Sequence, residues 1–194
     1  LIVYTRAYLD KMQAFTLNDI VKTIRFFTLQ TKQNGLPALA YGGNPQTVNF
    51  PLKIYINAHE LSSTTLENAL VQYGKMGLSF VDHVEIYQGA NSVVFGNEPA
   101  AMIIKLYTKE PSRENSTSLQ FSLDTQGGLS FQAVDAQSHD KYSYLATVDL
   151  KNAEFEDRVI NGYNYLRDGK RGQLYTKFSK DGIYDIEFEA SHED

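Results

Sequence analysis

The sequence predicts an α+β domain followed by a run of antiparallel β-strands. Three observations carry that prediction. Up to about residue 112, apolar residues recur at mixed spacing, helical in some stretches and alternating in others. After Pro111 the spacing settles to two. The composition agrees: 13 Tyr, 11 Phe and no Trp among 194 residues favour β structure.

Composition also excludes several functions. Net charge is −5 with no long basic run, which argues against nucleic acid as a partner. There is no Cys, hence no disulfide, no thiolate metal site and no Cys nucleophile. No stretch approaches the ~20 apolar residues of a transmembrane helix, although β-barrel strands carry a weaker signal that this does not address. The chain starts at Leu1 without a signal peptide, and reads as a mature or truncated piece.

Taken in order, Leu1 to Tyr4 is an apolar run expected to form a strand. Thr16 is suited to cap a helix, with Asp19 as its capping-box partner. Leu17, Ile20, Val21 and Ile24 follow at helical spacing, so a helix is expected over Leu17 to Phe27. Asn34-Gly35-Leu36-Pro37 and Asn44-Pro45 carry turn chemistry. Leu52 to Ile56 alternates as a strand, and Thr64 to Tyr73 is compatible with a helix turning Leu66, Ala69 and Leu70 inward.

Val81 to Lys109 is the most informative stretch. Val84 and Ile86 alternate with Glu85 and Tyr87, then Gln88-Gly89-Ala90-Asn91 breaks the strand. A second break follows at Gly96-Asn97-Glu98-Pro99, and Ala100 to Thr108 is apolar enough for a buried strand. At least one of Gly89 and Gly96 should have positive φ, because the chain must turn at each.

Ser112 to Ser118 reads as a polar linker. Then Leu119, Phe121 and Leu123 alternate with Gln120, Ser122 and Asp124, and Leu129, Phe131 and Ala133 resume after Gly127-Gly128. Tyr142, Tyr144, Ala146, Val148 and Leu150 form a third row, Leu174, Thr176 and Phe178 a fourth. Asp181-Gly182 is a hairpin turn leading into Tyr184, Ile186, Phe188 and Ala190. Tyr144, Val148, Ile186 and Phe188 should share one face, and Asp149, Glu187 and Glu189 the other. A polar loop is expected over about Asp157 to Arg171. Short turns at one end and a long loop at the other suit an outer-membrane barrel. A soluble antiparallel sheet with one wet face has the same period, so the pattern alone leaves both open.

The order of residues in Val81–Lys109 resembles the end of the plug domain of TonB-dependent outer-membrane receptors. That family carries a run of the type V-E-R-I-E-V-x-R-G-P-x-S-x-x-Y-G-x-x-A-x-G-G-V-I-N-I-I-T-K. Val81, Asp82, Val84, Glu85, Gly89, Ser92, Gly96, Ile103, Ile104, Thr108 and Lys109 fall in register without a gap, with Phe95 in the aromatic place. Thr16-Leu17-Asn18-Asp19-Ile20-Val21 is similar to the family's T-L-x-D-V-L helix, and Leu52 to Leu61 to its V-L-V-L-I-D-G-V-P-L segment, with Asn57 and Ala58 replacing Asp-Gly. The two family arginines are His83 and Gln88 here, the Pro is Ala90, and the Gly-Gly pair is Ala101-Met102. Those arginines help hold the plug to the barrel wall in the family, so that lock is altered.

The resemblance implies an α+β plug domain with a mixed βαβ sheet over residues 1–112. It implies strands of an incomplete transmembrane β-barrel over 113–194. It places the protein in the bacterial outer membrane, as part of a receptor importing a scarce solute such as a ferric siderophore, haem or cobalamin. Its partners would be that small molecule, often a metal chelate, the lipid bilayer, and a TonB protein engaging a motif that would precede Leu1. No cofactor is implied. The plug residues it marks are Val84, Glu85, Gly89, Ser92, Gly96, Ile104 and Thr108.

No enzyme motif of the G-x-S-x-G, P-loop or G-x-G-x-x-G type is present. The four His have no partner at metal-ligand spacing. His59 is singled out as a candidate ligand-binding residue. It follows a strand in the plug segment, where receptors of this family present loops to the ligand, and His can bind iron or haem. The reading from another class is a soluble binding domain with a plug-like βαβ core and an appended sheet. Tyr142, Tyr184 and Phe188 on one continuous outer surface would separate the barrel from that rival.

Overall fold

The first strand, β1 (Ile2–Thr5), passes directly into a short helix, α1 (Arg6–Lys11). Thr5 ends the strand and caps the helix, its hydroxyl accepting the Tyr8 N–H at 3.4 Å. In this computed structural model, residues 1–31, 37–42, 51–61, 68–89, 101–125, 127–153, 158–160, 163–165, 169–180 and 183–193 are described. They divide into two compact units, Leu1–Thr108 and Lys109–Asp194.

In the first unit, α2 spans Leu17–Val21. The expected capping box forms: the Thr16 N–H and hydroxyl both donate to Asp19 Oδ2, at 3.0 and 2.8 Å. The helix is shorter than the predicted Leu17–Phe27. It ends at Val21, capped by Lys22; turns follow, and Phe26, with a left-handed φ of 68°, leads into β2 (Phe27–Thr31). β2 pairs with β3 (Pro37–Tyr41) as a separate antiparallel hairpin. Next come β4 (Leu52–Ile56), β5 (His59–Leu61) and α3 (Leu70–Tyr73). The Asn34–Leu36 and Asn44-Pro45 turns and the first residues of the predicted Thr64–Tyr73 helix lie outside the described residues.

The central stretch supplies β6 (Val81–Gln88) and β7 (Met102–Thr108). The main sheet runs β1-β6-β7-β4-β5, with β4 and β7 parallel and the other pairs antiparallel. One face carries Leu52, Ile54, Ile56, Val84, Ile86, Ile104 and Leu106, all buried. Leu9, Leu17, Ile20 and Leu70 from the helices complete that core. Arg6 ties α1 to the approach of β6, its Nη1 donating to the carbonyls of Leu78 and Val81 at 2.9 Å each.

The second unit opens with α4 (Pro111–Glu114), started by a proline at its first position. Five strands follow: β8 (Ser116–Leu123), β9 (Leu129–His139), β10 (Tyr142–Ala153), then β13 (Gly169–Lys180) and β14 (Tyr184–Glu193). Between β10 and β13 lie β11 (Arg158–Ile160) and β12 (Tyr163–Tyr165), paired with each other. The sheet order is β14-β13-β10-β9-β8, antiparallel throughout and not closed.

Two sequence expectations are corrected here. The polar linker Ser112–Ser118 is a helical turn and the start of β8. The loop expected over Asp157–Arg171 is largely strand: β10 runs to Ala153, which pairs with Gly169, and β11 and β12 form a hairpin beyond. Every residue from Ser112 to Ser118 is polar, so no alternation announced the start of β8 there. The β8–β9 turn is as read: the Gly128 N–H donates to Asp124 Oδ1 at 2.8 Å, and Gly127 has a φ of 95°.

Candidate functional site

The plug motif occupies β6 and β7. Register places Ile86 opposite Ile104 and Val84 opposite Leu106, all within the core. The other face is polar. Glu85 sits between two phenols, and its Oε2 accepts from the hydroxyls of Tyr87 and Tyr107 at 2.8 Å each. Lys105, opposite Glu85, lies 5.2 Å from the centre of the Tyr107 ring. His83 stacks on Tyr107 at 4.3 Å and 9°, while its Nδ1 bonds Asp82 Oδ2 at 2.6 Å.

Partial burial pushes the Glu85 carboxyl up, but the two phenol hydrogen bonds, with His83 and Lys105 nearby, more than offset it and the net shift is down. Burial and the adjoining carboxylate push both Tyr87 and Tyr107 up to about 12. The cluster is thus an anion held by protonated donors. Sequence reasoning found Glu85 but not its partners, because Tyr107 is 22 residues away and only the β6–β7 register joins them.

Gly89 ends β6 with a φ of +57°, and its N–H donates to the Ala101 carbonyl at 3.1 Å. The expected positive-φ glycine is therefore there. Ser92 and Gly96 lie outside the described residues. Thr108 ends β7 and is bound by Asn57, whose Oδ1 accepts the Thr108 N–H at 3.1 Å. Of the two residues in the arginine places, His83 is engaged as described. The amide nitrogen of Gln88 is buried and has no hydrogen bond among the described residues. His59 opens β5, opposite Ile56, and is exposed. Among the described residues no group of three or more His, Asp or Glu could hold a metal.

The second unit presents an inverted surface. Cross-strand partners share a face, so Phe121, Phe131 and Leu150 align, as do Tyr144, Phe178 and Ile186. Leu174 and Phe188 lie on this same face. Its large side chains are exposed: Phe121 is 73% accessible, Ile186 59% and Phe188 55%. The opposite face carries Asp149, Gln173, Lys177, Glu187 and Glu189, and it is there that Thr147, Gln173, Tyr175 and Lys177 are buried. The expected segregation of the two rows is what the sheet has. A water-soluble sheet has the reverse polarity.

Tyr142, Tyr184 and Phe188 lie on one outer surface, all exposed. Tyr142 and Phe178 are 5.8 Å apart and Phe178 and Tyr184 6.4 Å, grouped where β9 meets β10 and β13 meets β14 through short turns. Lys180 lies 5.3 Å from the Tyr142 ring. Aromatic groups with a lysine at strand ends are the pattern of a membrane–water interface. β10 and β13 have 12 residues each, enough to cross a hydrocarbon core that needs about 9–11.

No family model matches the chain. It is 24% identical over 140 residues to the vitamin B12 transporter BtuB of Vibrio cholerae, a match covering 70% of this chain and 21% of that protein. Among solved structures, the pyoverdine outer membrane receptor FpvA of Pseudomonas aeruginosa superposes with a TM-score of 0.68 at 13% identity, covering 98% of this chain and 27% of the receptor. The ferric yersiniabactin uptake receptor FyuA of Yersinia pestis gives a TM-score of 0.70 at 13% identity, covering 99% of this chain and 31% of the receptor. The chain thus spans between a fifth and a third of the proteins it matches. Its fold is that of the corresponding part of these outer-membrane receptors, an α+β unit followed by an open antiparallel sheet.

Proposed function

We propose that residues 1–112 are the plug and 113–194 the first barrel strands of a bacterial outer-membrane receptor. The receptor binds a scarce solute of the ferric siderophore, haem or cobalamin type and imports it with energy supplied through TonB. The observation that carries this reading is the polarity of the five-stranded sheet. A face holding Phe121, Phe131, Leu174, Ile186 and Phe188 in the open requires apolar surroundings. The polar face then belongs to the lumen of a large barrel. The relatives add the solute class: BtuB is named for vitamin B12, and FyuA for ferric yersiniabactin.

The test is uptake by a host lacking its own receptors and expressing the full-length protein. Labelled ferric chelates, haem and cobalamin are offered with and without an intact TonB system. Accumulation of one of them that stops when TonB is deleted is the expected result. Binding without TonB-dependent uptake of any would reject import, and would mean that His83 and Gln88 in the arginine places mark a receptor that no longer transports.

A further inference from the structure

The Glu85 cluster lies on the polar face of the plug sheet, away from the core. Glu85 Oε2 accepts from the hydroxyls of Tyr87 and Tyr107 at 2.8 Å each, so three oxygens converge. Strand geometry brings them together. Tyr87 is two residues beyond Glu85 on β6 and points to the same face. Tyr107 on β7 is opposite His83, two residues before Glu85, so the phenols approach the carboxylate from either side. The second carboxylate oxygen, Oε1, has no hydrogen bond among the described residues. All three side chains are half-buried. Neither phenol belongs to the plug motif: Tyr87 fills an open position of the pattern and Tyr107 an apolar one. The spacing is that of a coordination shell. An octahedral ion with oxygen bonds of about 2.0 Å holds neighbouring oxygens about 2.8 Å apart. An ion that replaces the two shared protons therefore needs little movement of the oxygens.

We propose that Tyr87, Glu85 and Tyr107 form a site for a hard trivalent metal ion, ferric iron, bound through two phenolates and one carboxylate. On binding, the two phenol O–H bonds break and their protons pass to water. Three metal–oxygen bonds form, and no electron is transferred. Charge selects the ion. The three ligands carry three negative charges, which a trivalent cation cancels and a divalent one does not, and a half-buried site penalises the charge left over. Because the complex is neutral, it does not repel Lys105 opposite Glu85. Donor type agrees: hard cations take oxygen ligands, and tyrosinate ligates haem iron in some enzymes. Burial and the Glu85 charge push both phenols up to about 12, and a bound cation reverses the second of these causes. The site lies within the plug unit alone, so it stands whatever solute the receptor imports.

The test uses the full-length protein in detergent, freed of metal and titrated with ferric citrate. Gallium, a trivalent ion without redox chemistry, and zinc, a divalent one, are run in parallel. A visible phenolate-to-iron charge-transfer band and release of about two protons per ion are expected. Gallium should release protons in the same way, and zinc should bind far more weakly. Tyr87→Phe and Tyr107→Phe keep both rings. Each should dim the band and weaken ferric binding at least about tenfold, a loss that even supporting residues of metal sites produce. Glu85→Gln should weaken it too. Tyr55→Phe removes another phenol from the same sheet face, one that donates to Glu60, and should leave binding unchanged. No band in the unaltered protein, or a band of undiminished strength in both Phe variants, would overturn the site. Equal affinity for gallium and zinc would overturn its assignment to a trivalent ion. Failure of cellular uptake bears on import alone, since binding is read on the purified protein.

Discussion

Asn57 binds Thr108 across the plug sheet. Its Oδ1 accepts the Thr108 N–H at 3.1 Å, and its Nδ2 donates to the Thr108 hydroxyl at 3.2 Å. Asn57 itself holds a φ of 51° in the two-residue turn between β4 and β5. One residue thus closes a turn and fixes the end of β7. Asn57→Ala should cost about 1–3 kcal/mol, the loss of bonds to a buried N–H, with the strained φ added. Asn57→Gly should cost less, since it relieves the backbone and loses only the bonds. Urea denaturation of residues 1–109 measures both, and equal stability of the two variants would show that the φ is not strained.

Gly89 separates backbone strain from packing. Among the described residues nothing lies within 4 Å of a Cβ added there, yet φ is +57°. Gly89→Ala should therefore cost about 1 kcal/mol from conformation alone, and Gly89→Asn distinctly less, because Asn tolerates that region. The same denaturation series checks the ranking.

These two residues also show what the sequence could and could not reveal. Gly89 was legible because it interrupts an alternating run, and the outward row of β8 to β14 was legible because period two survives in one dimension. The role of Asn57 was not, since its partner is 51 residues away. The Tyr87–Glu85–Tyr107 cluster was hidden for the same reason. The predicted helix over Leu17–Phe27 stops at Val21, and the left-handed Phe26 lies beyond it, just before β2. The last two residues of β10, Asn152 and Ala153, were missed because Asn152 takes the next place in the apolar row after Leu150.

The Glu85 cluster should set two pH limits on the plug. Glu85 has a lowered folded pKa, so its contribution is present above the ordinary 4.5 and is lost as pH falls through the lowered value. Tyr87 and Tyr107 are raised, so their contribution is whole below 10 and is lost as pH rises towards about 12. Glu85→Ala should bring both tyrosine titrations down in the ultraviolet spectrum, but not fully to 10, because burial is the larger cause. Unchanged midpoints would mean that the carboxylate does not act on the phenols.

Leu174 lies mid-strand on the outer face, opposite Val148 and Ala190. In the full-length protein in a bilayer, Leu174→Arg should cost about 2–4 kcal/mol, as expected for a cation near the membrane midplane. Leu174→Ile should be close to neutral. A soluble sheet would tolerate Leu174→Arg, so reversible unfolding from vesicles discriminates the two.

The central claim is that the apolar face of β10 meets lipid and its other face does not. The chain has no Cys, so single cysteines at positions 144 to 150 can carry spin labels without background. With the full-length protein in vesicles, labels at 144, 146, 148 and 150 should be open to oxygen and closed to a water-soluble nickel chelate. Labels at 145, 147 and 149 should be shielded from oxygen. Nickel access at the even positions, or no period-two difference along the strand, would contradict the account.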